Sequence, residues 1–234
     1  MQAHYHGNAY FSGDGVGYAD YAAQEQSLRA TFAALLRRLA ARGAAGGSLL
    51  EVGCGYGFLL REAAPYFGER VGCEMAPGAG RQARAHADEV YVGSIESIPG
   101  NRRFDCIAAV HVLEHVYRPR EFVARLCGHL RPSGTLVLAV PDMGGLWRRI
   151  LGRRWPSFKF PEHVVFYDRA SLSDLMHRAG LNAIQTVPYP HAFPLGEVCR
   201  KLGVPALPGV ARFSVWIPGT TLAMLGRAPA IGPL

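Results

Sequence analysis

The sequence predicts an α/β fold: a doubly wound, mostly parallel, seven-stranded sheet with helices on both faces. Short apolar runs alternate along the chain with segments of helical spacing, which is the pattern of repeated strand–helix units. The apolar runs are continuous rather than alternating, and this indicates strands buried on both faces, as in a parallel sheet. The 234 residues show no internal repeat or linker and suit one domain over 1–234.

The predicted elements follow in chain order. Leucines recur at helical spacing over 21–42, which predicts the first helix. Five strands are then expected in SLLEV, RVGCE, EVYVG, FDCIAAV and GTLVLAV, with helices in FLLREAAPYF, in GRQARAHA and over 118–130. A further helix is predicted in SLSDLMHRAG, with Ser171 as its N-cap, and the last two strands are expected in LNAIQTVPY and GTTLAMLGRA.

Composition and charge restrict the class of protein. The net charge of +7 is a mild basic excess without the dense basic stripe of a dedicated nucleic-acid binder, so no nucleic-acid partner is expected. The five cysteines include no Cys-x-x-Cys pair, which favours a reducing, cytoplasmic setting. The start of the sequence lacks a signal-peptide pattern, and no apolar run reaches the length of a membrane span.

A glycine-rich turn follows the first predicted strand, in the order Glu-Val-Gly-Cys-Gly-Tyr-Gly from Glu51. Such a turn lets the backbone approach a ligand closely and points N–H groups at it. It is not a dinucleotide motif, because Phe58 stands where the third glycine would be, and no Gly-Lys-Ser/Thr triplet follows for a phosphate loop. Glu74 ends the second strand, 21 residues beyond Gly53, where a carboxylate can accept hydrogen bonds from both ribose hydroxyls. A nucleoside carrying a small amino-acid tail fits this pattern.

Six segments, in the same order and spacing, carry a resemblance to a known family. They are LLEVGCGYGFLL, VGCEMAP, VGSIESIP, FDCIAAVHVLEHV, RPSGTLVLAVPD and HVVFYDRASLSDLMHRAGL. The chain resembles class I S-adenosylmethionine-dependent methyltransferases, and within them the small-molecule group that includes the ubiquinone-biosynthesis O-methyltransferases. The resemblance implies the Rossmann-like methyltransferase fold, S-adenosyl-L-methionine as cofactor, and methyl transfer to a small-molecule acceptor, preferably at oxygen. Methylation of RNA or protein, or a non-catalytic cofactor-binding scaffold, remain the alternatives.

The resemblance also implies roles for residues around the cofactor. Glu74 is expected to bind the ribose, and Met75 to pack on the adenine. Ser94 stands where the family usually has an Asp that binds the adenine amino group, so that contact would fall to the backbone at Ile95. His111, at the end of the fourth strand, is expected near the amino-acid end of the cofactor. The methionine part is expected to lie among Glu51, Gly53, Cys54, Gly55 and Gly57.

Methyl transfer needs few chemical groups from the protein, because the sulfonium is already activated. Alignment of the acceptor with the methyl group supplies most of the rate enhancement. An oxygen acceptor also needs a base, and a histidine of near-neutral pKa suits that role. HVLEHV places Glu114 and His115 beside the cofactor mouth, and His163 follows the next insertion, so His115 and His163 are the candidate catalytic bases. The alternative roles are structural: His115 would pack at the start of a helix, and His163 would anchor a loop. No metal is expected, and activity is expected to survive a chelator.

Two insertions and the N-terminal segment are expected on the acceptor side. The first insertion, 142–163, carries Trp147 and Trp155 among five cationic side chains. Three interpretations remain open: a lid over an acceptor with an anionic group, peripheral membrane contact through 147–160, and a solvated loop. The second insertion is 188–212. The segment 1–26 is expected to cap the site, with Tyr10, Tyr18 and Tyr21 lining it or packing on the surface.

Overall fold

A computed structural model describes Tyr21, residues 24–201 and residues 213–230, apart from the side chains at positions 197, 200 and 201. The expectations for Tyr10 and Tyr18 lie outside the described residues, as does most of the proline-rich end of the second insertion. No helix in the described ranges has both the length and the apolar character needed to cross a membrane.

The strands of the described part of the chain form a large sheet and a small one. They are β1 (Ser48–Val52), β2 (Glu69–Glu74), β3 (Glu89–Val92), β4 (Phe104–Val110), β5 (Leu130–Pro141), β6 (Asn182–Val187), β7 (His191–Pro194), β8 (Ser214–Ile217) and β9 (Thr221–Arg227). The large sheet has the order β3-β2-β1-β4-β5-β9-β6, in which β9 is antiparallel to both neighbours and the pairs from β3 to β5 are parallel. β7 and β8 form an antiparallel pair beside it.

Helices cover both faces of the large sheet. They are α1 (Glu25–Ala40), α2 (Phe58–Glu62), α3 (Pro77–Ala83), α4 (Pro119–Gly128), α5 (Leu146–Leu151), α6 (Arg169–Arg178) and α7 (Leu195–Lys201). Successive strand residues point to opposite faces, so Leu49 joins the core that contains Leu35 of α1, whereas Leu50 joins the core that contains Leu126 of α4. Every residue of β1 is buried. The predicted fold class, a mostly parallel seven-stranded sheet between two helical layers, is confirmed.

The start of α6 differs from the prediction. Asp168, not Ser171, is the N-cap: its carboxylate accepts a hydrogen bond from the backbone N–H of Ser171 at 2.8 Å. The Ser171 hydroxyl in turn accepts from the backbone N–H of Asp168 at 3.0 Å, which completes a reciprocal capping box. The prediction was wrong because the helix begins at Arg169, two residues before the serine.

The strand order places a cleft at one edge of the sheet. β1 pairs with β2 on one side and with β4 on the other, so the strand order reverses its direction at β1. In open α/β sheets ligands bind at this switch point, outside the carboxyl ends of the strands. The register sets Val52 of β1 beside Cys73 of β2 and Ala109 of β4, so the residues that follow each strand meet at the same edge.

Candidate functional site

A cavity of about 700 Å³ opens at this edge of the sheet. Its volume falls in the range of pockets that enclose a small-molecule ligand. Residues that are distant in the sequence share its wall because the carboxyl ends of β1, β2 and β4 converge there. Among the residues singled out from the sequence, those on the wall are Tyr21, Glu51, Gly53, Gly55, Glu74, Met75, Ser94, Ile95, His111 and His115.

The glycine turn has the backbone conformation that its composition predicts. Gly53 and Gly55 have φ angles of 74° and 52°, in the left-handed region that residues with a Cβ rarely adopt. The N–H of Gly53 donates to the carbonyl of Cys73 at 2.8 Å, which ties the turn to β2. A Cβ at Gly53 would overlap the Val112 side chain. Gly57 lies just beyond as the N-cap of α2 and does not belong to the cavity wall.

Glu74 is held rigidly at the end of β2. One carboxylate oxygen accepts from the N–H of Gly55 at 2.9 Å and the other accepts from the N–H of Ala76 at 2.9 Å. Burial raises the pKa of Glu74, and these two hydrogen bonds oppose that shift because they favour the charged form. Each oxygen keeps further acceptor capacity. The side chain can therefore accept two more hydrogen bonds from a ligand in the cavity.

Glu51 is a second buried carboxyl on the cavity wall, near the carboxyl end of β1. Its Oε2 has no hydrogen-bond partner within the described ranges. Burial, followed by repulsion from Glu74, raises the pKa of Glu51 well above its ordinary value. An unsatisfied buried acid is costly for a fold, whereas a cation in the cavity would stabilise its ionised form. The pair of carboxyls thus suits a positively charged ligand.

Three residues continue the wall next to Glu74. Met75 and Ser94 line the cavity, and Ile95 is buried at the start of a short 3-10 turn, Ile95–Ser97. The carbonyl of Ser94 accepts the Ser97 hydroxyl at 2.7 Å, which fixes this turn. The flexible apolar side chain of Met75 and the backbone next to the buried Ile95 together form a surface on which a flat ring can pack.

Cys54 lies behind the turn rather than on the cavity wall. Its side chain is buried, with Sγ packed close to Gly72 of β2. Burial, and after it the charge of Glu51, raises the pKa of the Cys54 thiol well above its ordinary value. The thiol therefore acts as a small apolar group in the core, and contact of this residue with a ligand is left to its backbone.

His111 stands at the mouth of the cavity in a strained conformation. Its φ angle is 55°, which is uncommon for a residue with a side chain. The ring Nδ1 lies 3.2 Å from Oε1 of the buried Glu114, and Nε2 lies 3.5 Å from the hydroxyl of Thr221. The ring of Tyr189 meets it edge-on at 6.2 Å and also lines the cavity. The pairing of His111 with Glu114, and the position of Tyr189, were not predicted.

His115 and His163 are brought together, with ring centroids 4.8 Å apart. His115 lines the cavity, and its Nδ1 lies 2.9 Å from the carbonyl of Glu162. His163 is buried behind the cavity wall, with Nδ1 2.8 Å from the carbonyl of Ser157. Burial lowers the pKa of His163 to about 4. The imidazole of His163 is therefore neutral at physiological pH and does not face the cavity.

The aromatic residues expected on the acceptor side divide into two groups. Tyr21 lines the cavity and stacks on Phe58 of α2 at 5.3 Å. Trp147 and Trp155 lie away from the cavity wall. The indole N–H of Trp147 donates to the carbonyl of Pro218 at 2.7 Å, and Trp155 is buried in an aromatic cluster of its own. The first insertion thus packs beside the cavity in this structure and does not cover it with tryptophans.

Comparison with known proteins agrees with this geometry. A family model described as a methyltransferase domain matches residues 21–186. The ubiquinone biosynthesis O-methyltransferase of Methylobacterium sp. (strain 4-46) is 39% identical over 103 residues, which cover 41% of this chain and 41% of that protein. The protein of the same name from Methylobacterium nodulans is 30% identical over 152 residues, covering 59% and 61%. The chain thus spans less than two thirds of the length of these curated relatives.

Solved structures share the fold at low sequence identity. A possible histamine N-methyltransferase from Thermotoga maritima superposes with a TM-score of 0.62 at 16% identity, covering 87% of this chain and 90% of that one. Magnesium protoporphyrin IX methyltransferase from Synechocystis PCC 6803, solved with bound S-adenosylhomocysteine, gives a TM-score of 0.62 at 13% identity, covering 94% and 97%. Since the family model spans most of the chain, the protein belongs to the methyltransferase-domain family.

Proposed function

We propose that this methyltransferase transfers a methyl group from S-adenosyl-L-methionine to a small-molecule acceptor, at an oxygen atom. The observation that carries the proposal is the pair of buried carboxyls, Glu51 and Glu74, on the wall of one cavity beside the bare glycine turn. S-adenosylmethionine carries a ribose, an ammonium group and a sulfonium group. Two carboxyls can bind the ribose hydroxyls and the positive charges, and a backbone without side chains lets the ligand approach closely. Oxygen is preferred because the curated relatives are named as O-methyltransferases.

The cofactor groups are assigned by chemistry. Glu74 would accept the two ribose hydroxyls with the capacity left after its bonds to Gly55 and Ala76. Met75 and the backbone at Ile95 would contact the adenine, with Ser94 at the edge of the ring. The Glu51 oxygen that has no hydrogen-bond partner among the described residues would face the positive charge of the methionine part. The sulfonium would then lie between the glycine turn and His111.

The acceptor would enter next to the sulfonium, where Tyr21, His111 and Tyr189 line the cavity. These side chains offer aromatic faces and polar tips, which suit a flat or partly apolar molecule with a hydroxyl group. In-line attack on the methyl group needs the acceptor oxygen held within contact distance, so the wall contributes chiefly by alignment and by excluding water. The proposal leaves the identity of the acceptor open.

Binding of the cofactor is the direct test of this function. We expect calorimetry to detect S-adenosylmethionine binding with release of protons, because the cationic ligand lowers the raised pKa of Glu51. Below the pKa of the free acid, binding displaces the Glu51 proton, so affinity should rise with pH until the pH exceeds that pKa. Repeating the calorimetric titration in buffers of different ionisation enthalpy measures the number of protons released.

The acceptor class is tested by a screen for the mass of one added methyl group. Phenols, sugars and carboxylic acids form the small-molecule pools, and RNA and unrelated proteins form the rival pools. Methylation of a small hydroxylated molecule is expected. Methylation confined to RNA or protein would contradict the proposed acceptor. Binding without turnover on every pool would favour a scaffold, and failure to bind either S-adenosylmethionine or its demethylated product would contradict the cofactor assignment.

We also propose that the segment 147–160 makes peripheral contact with anionic membrane surfaces. Large apolar side chains in and beside it are exposed: Leu146 at 64%, Ile150 at 63% and Phe160 at 73%. Exposed arginines lie among them at positions 149, 153 and 154. Apolar groups that enter the headgroup region, flanked by cations that meet lipid phosphates, are typical of an interfacial segment.

Cosedimentation with vesicles tests this contact. The wild-type protein should bind vesicles rich in phosphatidylserine, and replacing the three arginines with glutamine should weaken binding by roughly 100-fold, at about 1 kcal/mol for each charge. The control replaces Arg37, Arg81 and Arg84, three exposed arginines elsewhere on the surface. Equal loss of binding in both variants would show that net charge alone is responsible and would contradict a localised contact.

A further inference from the structure

We propose that the carboxylate of Glu96 accepts a hydrogen bond from the exocyclic amino group of the cofactor's adenine. This role deepens the proposed function, since it assumes that S-adenosylmethionine is the ligand of the cavity. The amino group presents N–H donors at the edge of the ring, so a site that selects adenine by this group needs an acceptor there. Glu96 lines the same cavity as Glu74, and about half of its side chain is exposed.

Backbone hydrogen bonds hold the turn Ile95–Ser97 next to the end of β2. The N–H of Gly93, the first residue after β3, donates to the carbonyl of Glu74 at 2.8 Å. The N–H and the hydroxyl of Ser97 both donate to the carbonyl of Ser94, at 2.9 and 2.7 Å, and these bonds close the turn. Since the turn also lines the cavity, a base attached to a ribose at Glu74 can reach it.

Two neighbours on the cavity wall orient the Glu96 carboxylate. Nη1 of Arg125, in α4, lies 3.4 Å from its Oε1. Hydrogen bonding with the Ser94 side chain is the main cause that holds the pKa of Glu96 below its ordinary value, so the carboxylate is ionised at physiological pH. An ionised carboxylate has about four acceptor positions. An amino group can therefore bind Glu96 without displacing either neighbour.

The other polar groups on this part of the wall suit the amino group less well. The backbone N–H of Ile95 is a donor, so it suits a ring nitrogen and not an amino group. Glu121 also lines the cavity, but it belongs to α4, pairs with Arg118 at 3.5 Å, and has a side chain that is 62% exposed. The N–H of Ile95 and the carboxylate of Glu96 together give one donor and one acceptor, which match the adjacent ring nitrogen and amino group of adenine.

The role of Glu96 adds to the expectation from the sequence, which left the adenine contact to the backbone at Ile95. That contact alone gives the amino group no acceptor, because an N–H group can only donate. Glu96 was not singled out in the sequence, where it reads as one more charged residue in a loop. Its position beside Ser94 and Arg125 on the cavity wall is a property of the folded chain, since α4 and the turn after β3 meet only there.

Calorimetry with two ligands is the test: S-adenosylhomocysteine, and its purine analogue in which hydrogen replaces the adenine amino group. The wild-type protein should bind the analogue about ten-fold more weakly, at the low end for a hydrogen bond to a charged group because Glu96 is half exposed. Glu96→Ala should bind both ligands with equal affinity, because the acceptor of the amino group is gone. Glu121→Ala removes another carboxylate from the same wall and should keep the ten-fold preference. Equal affinities in the wild-type protein, or an unchanged preference in Glu96→Ala, would overturn the proposal.

Two further variants distinguish Glu96 from its neighbour. Glu96→Gln keeps an acceptor oxygen without the charge, so its preference for S-adenosylhomocysteine should lie between those of the wild-type protein and Glu96→Ala. Ser94→Ala removes a side chain that orients Glu96 but leaves the acceptor, so it should reduce the preference only in part. Complete loss of the preference in Ser94→Ala, with none in Glu96→Ala, would assign the amino group to the serine hydroxyl and overturn the proposal.

The preference is a ratio of two affinities, so it can fail while S-adenosylhomocysteine still binds. Tight binding of both ligands with no preference in the wild-type protein would overturn the role of Glu96 and leave the proposed cofactor intact. Failure of the wild-type protein to bind either ligand would contradict the proposed function, and the role of Glu96 with it.

Discussion

Replacing Glu74 with alanine is expected to weaken S-adenosylhomocysteine binding by about 100-fold or more. Two hydrogen bonds from ribose to a charged acceptor contribute roughly 1.5–3 kcal/mol each, and about 1.4 kcal/mol corresponds to ten-fold in affinity. The variant also leaves the N–H groups of Gly55 and Ala76 without the carboxylate that they now share, so the glycine turn loses one of its links to β2. Isothermal titration calorimetry measures the change.

Two further variants identify the cause of that loss. Glu74→Gln keeps the shape of the side chain but removes the charge, and one of its two terminal atoms becomes a donor. It should therefore bind more weakly than the parent and more tightly than Glu74→Ala. Glu89→Ala removes a carboxylate that is exposed on β3 and pairs with Arg102, so it should bind as the parent does. Unchanged affinity in Glu74→Ala would remove the ribose assignment.

The sequence predicted those strands whose burial on both faces gives a recognisable apolar run. β1 and β4 match their predicted segments SLLEV and FDCIAAV because strands buried on both faces are mostly apolar, and this gives a short apolar run that can be recognised in the sequence. The small β7–β8 pair was not predicted. Apart from the buried Ala192, its residues are partly buried or exposed, and they include one proline and two aromatic side chains without a clear period. The pairing of its two strands depends on contacts between distant parts of the chain.

The same distinction holds for the candidate site. Glu51, Gly53, Gly55 and Glu74 could be recognised because a turn and the end of the next strand carry the pattern within one short stretch. The side chains on the other wall come from separate segments. His111 meets Tyr189 only because β6 and β9 complete the sheet beyond β5, and no spacing rule connects them. The residues proposed to bind the cofactor are thus closer together in the sequence than those proposed to line the acceptor side.

Gly53→Ala is expected to have the second large effect, a loss of stability together with a loss of cofactor affinity. The φ angle of 74° would cost a residue with a Cβ about 1–2 kcal/mol. The added methyl group would also overlap the Val112 side chain, which must then move. Val112 follows His111 directly and lines the same cavity. Displacing it changes the wall next to the proposed sulfonium position, so affinity for S-adenosylhomocysteine should fall by about ten-fold or more, in keeping with the steep cost of misplaced binding groups.

Gly180→Ala separates these two contributions. Gly180 has a φ angle of 84°, close to that of Gly53, but a Cβ there meets no atom within 4 Å. It follows α6, away from the cavity wall. Thermal unfolding should therefore show a similar loss of stability from backbone strain in both variants, with an added loss from steric overlap in Gly53→Ala alone. Calorimetry should show weakened ligand binding only in Gly53→Ala. If both variants bind S-adenosylhomocysteine as the parent does, the glycine is needed for the turn itself and not for the shape of the cofactor site.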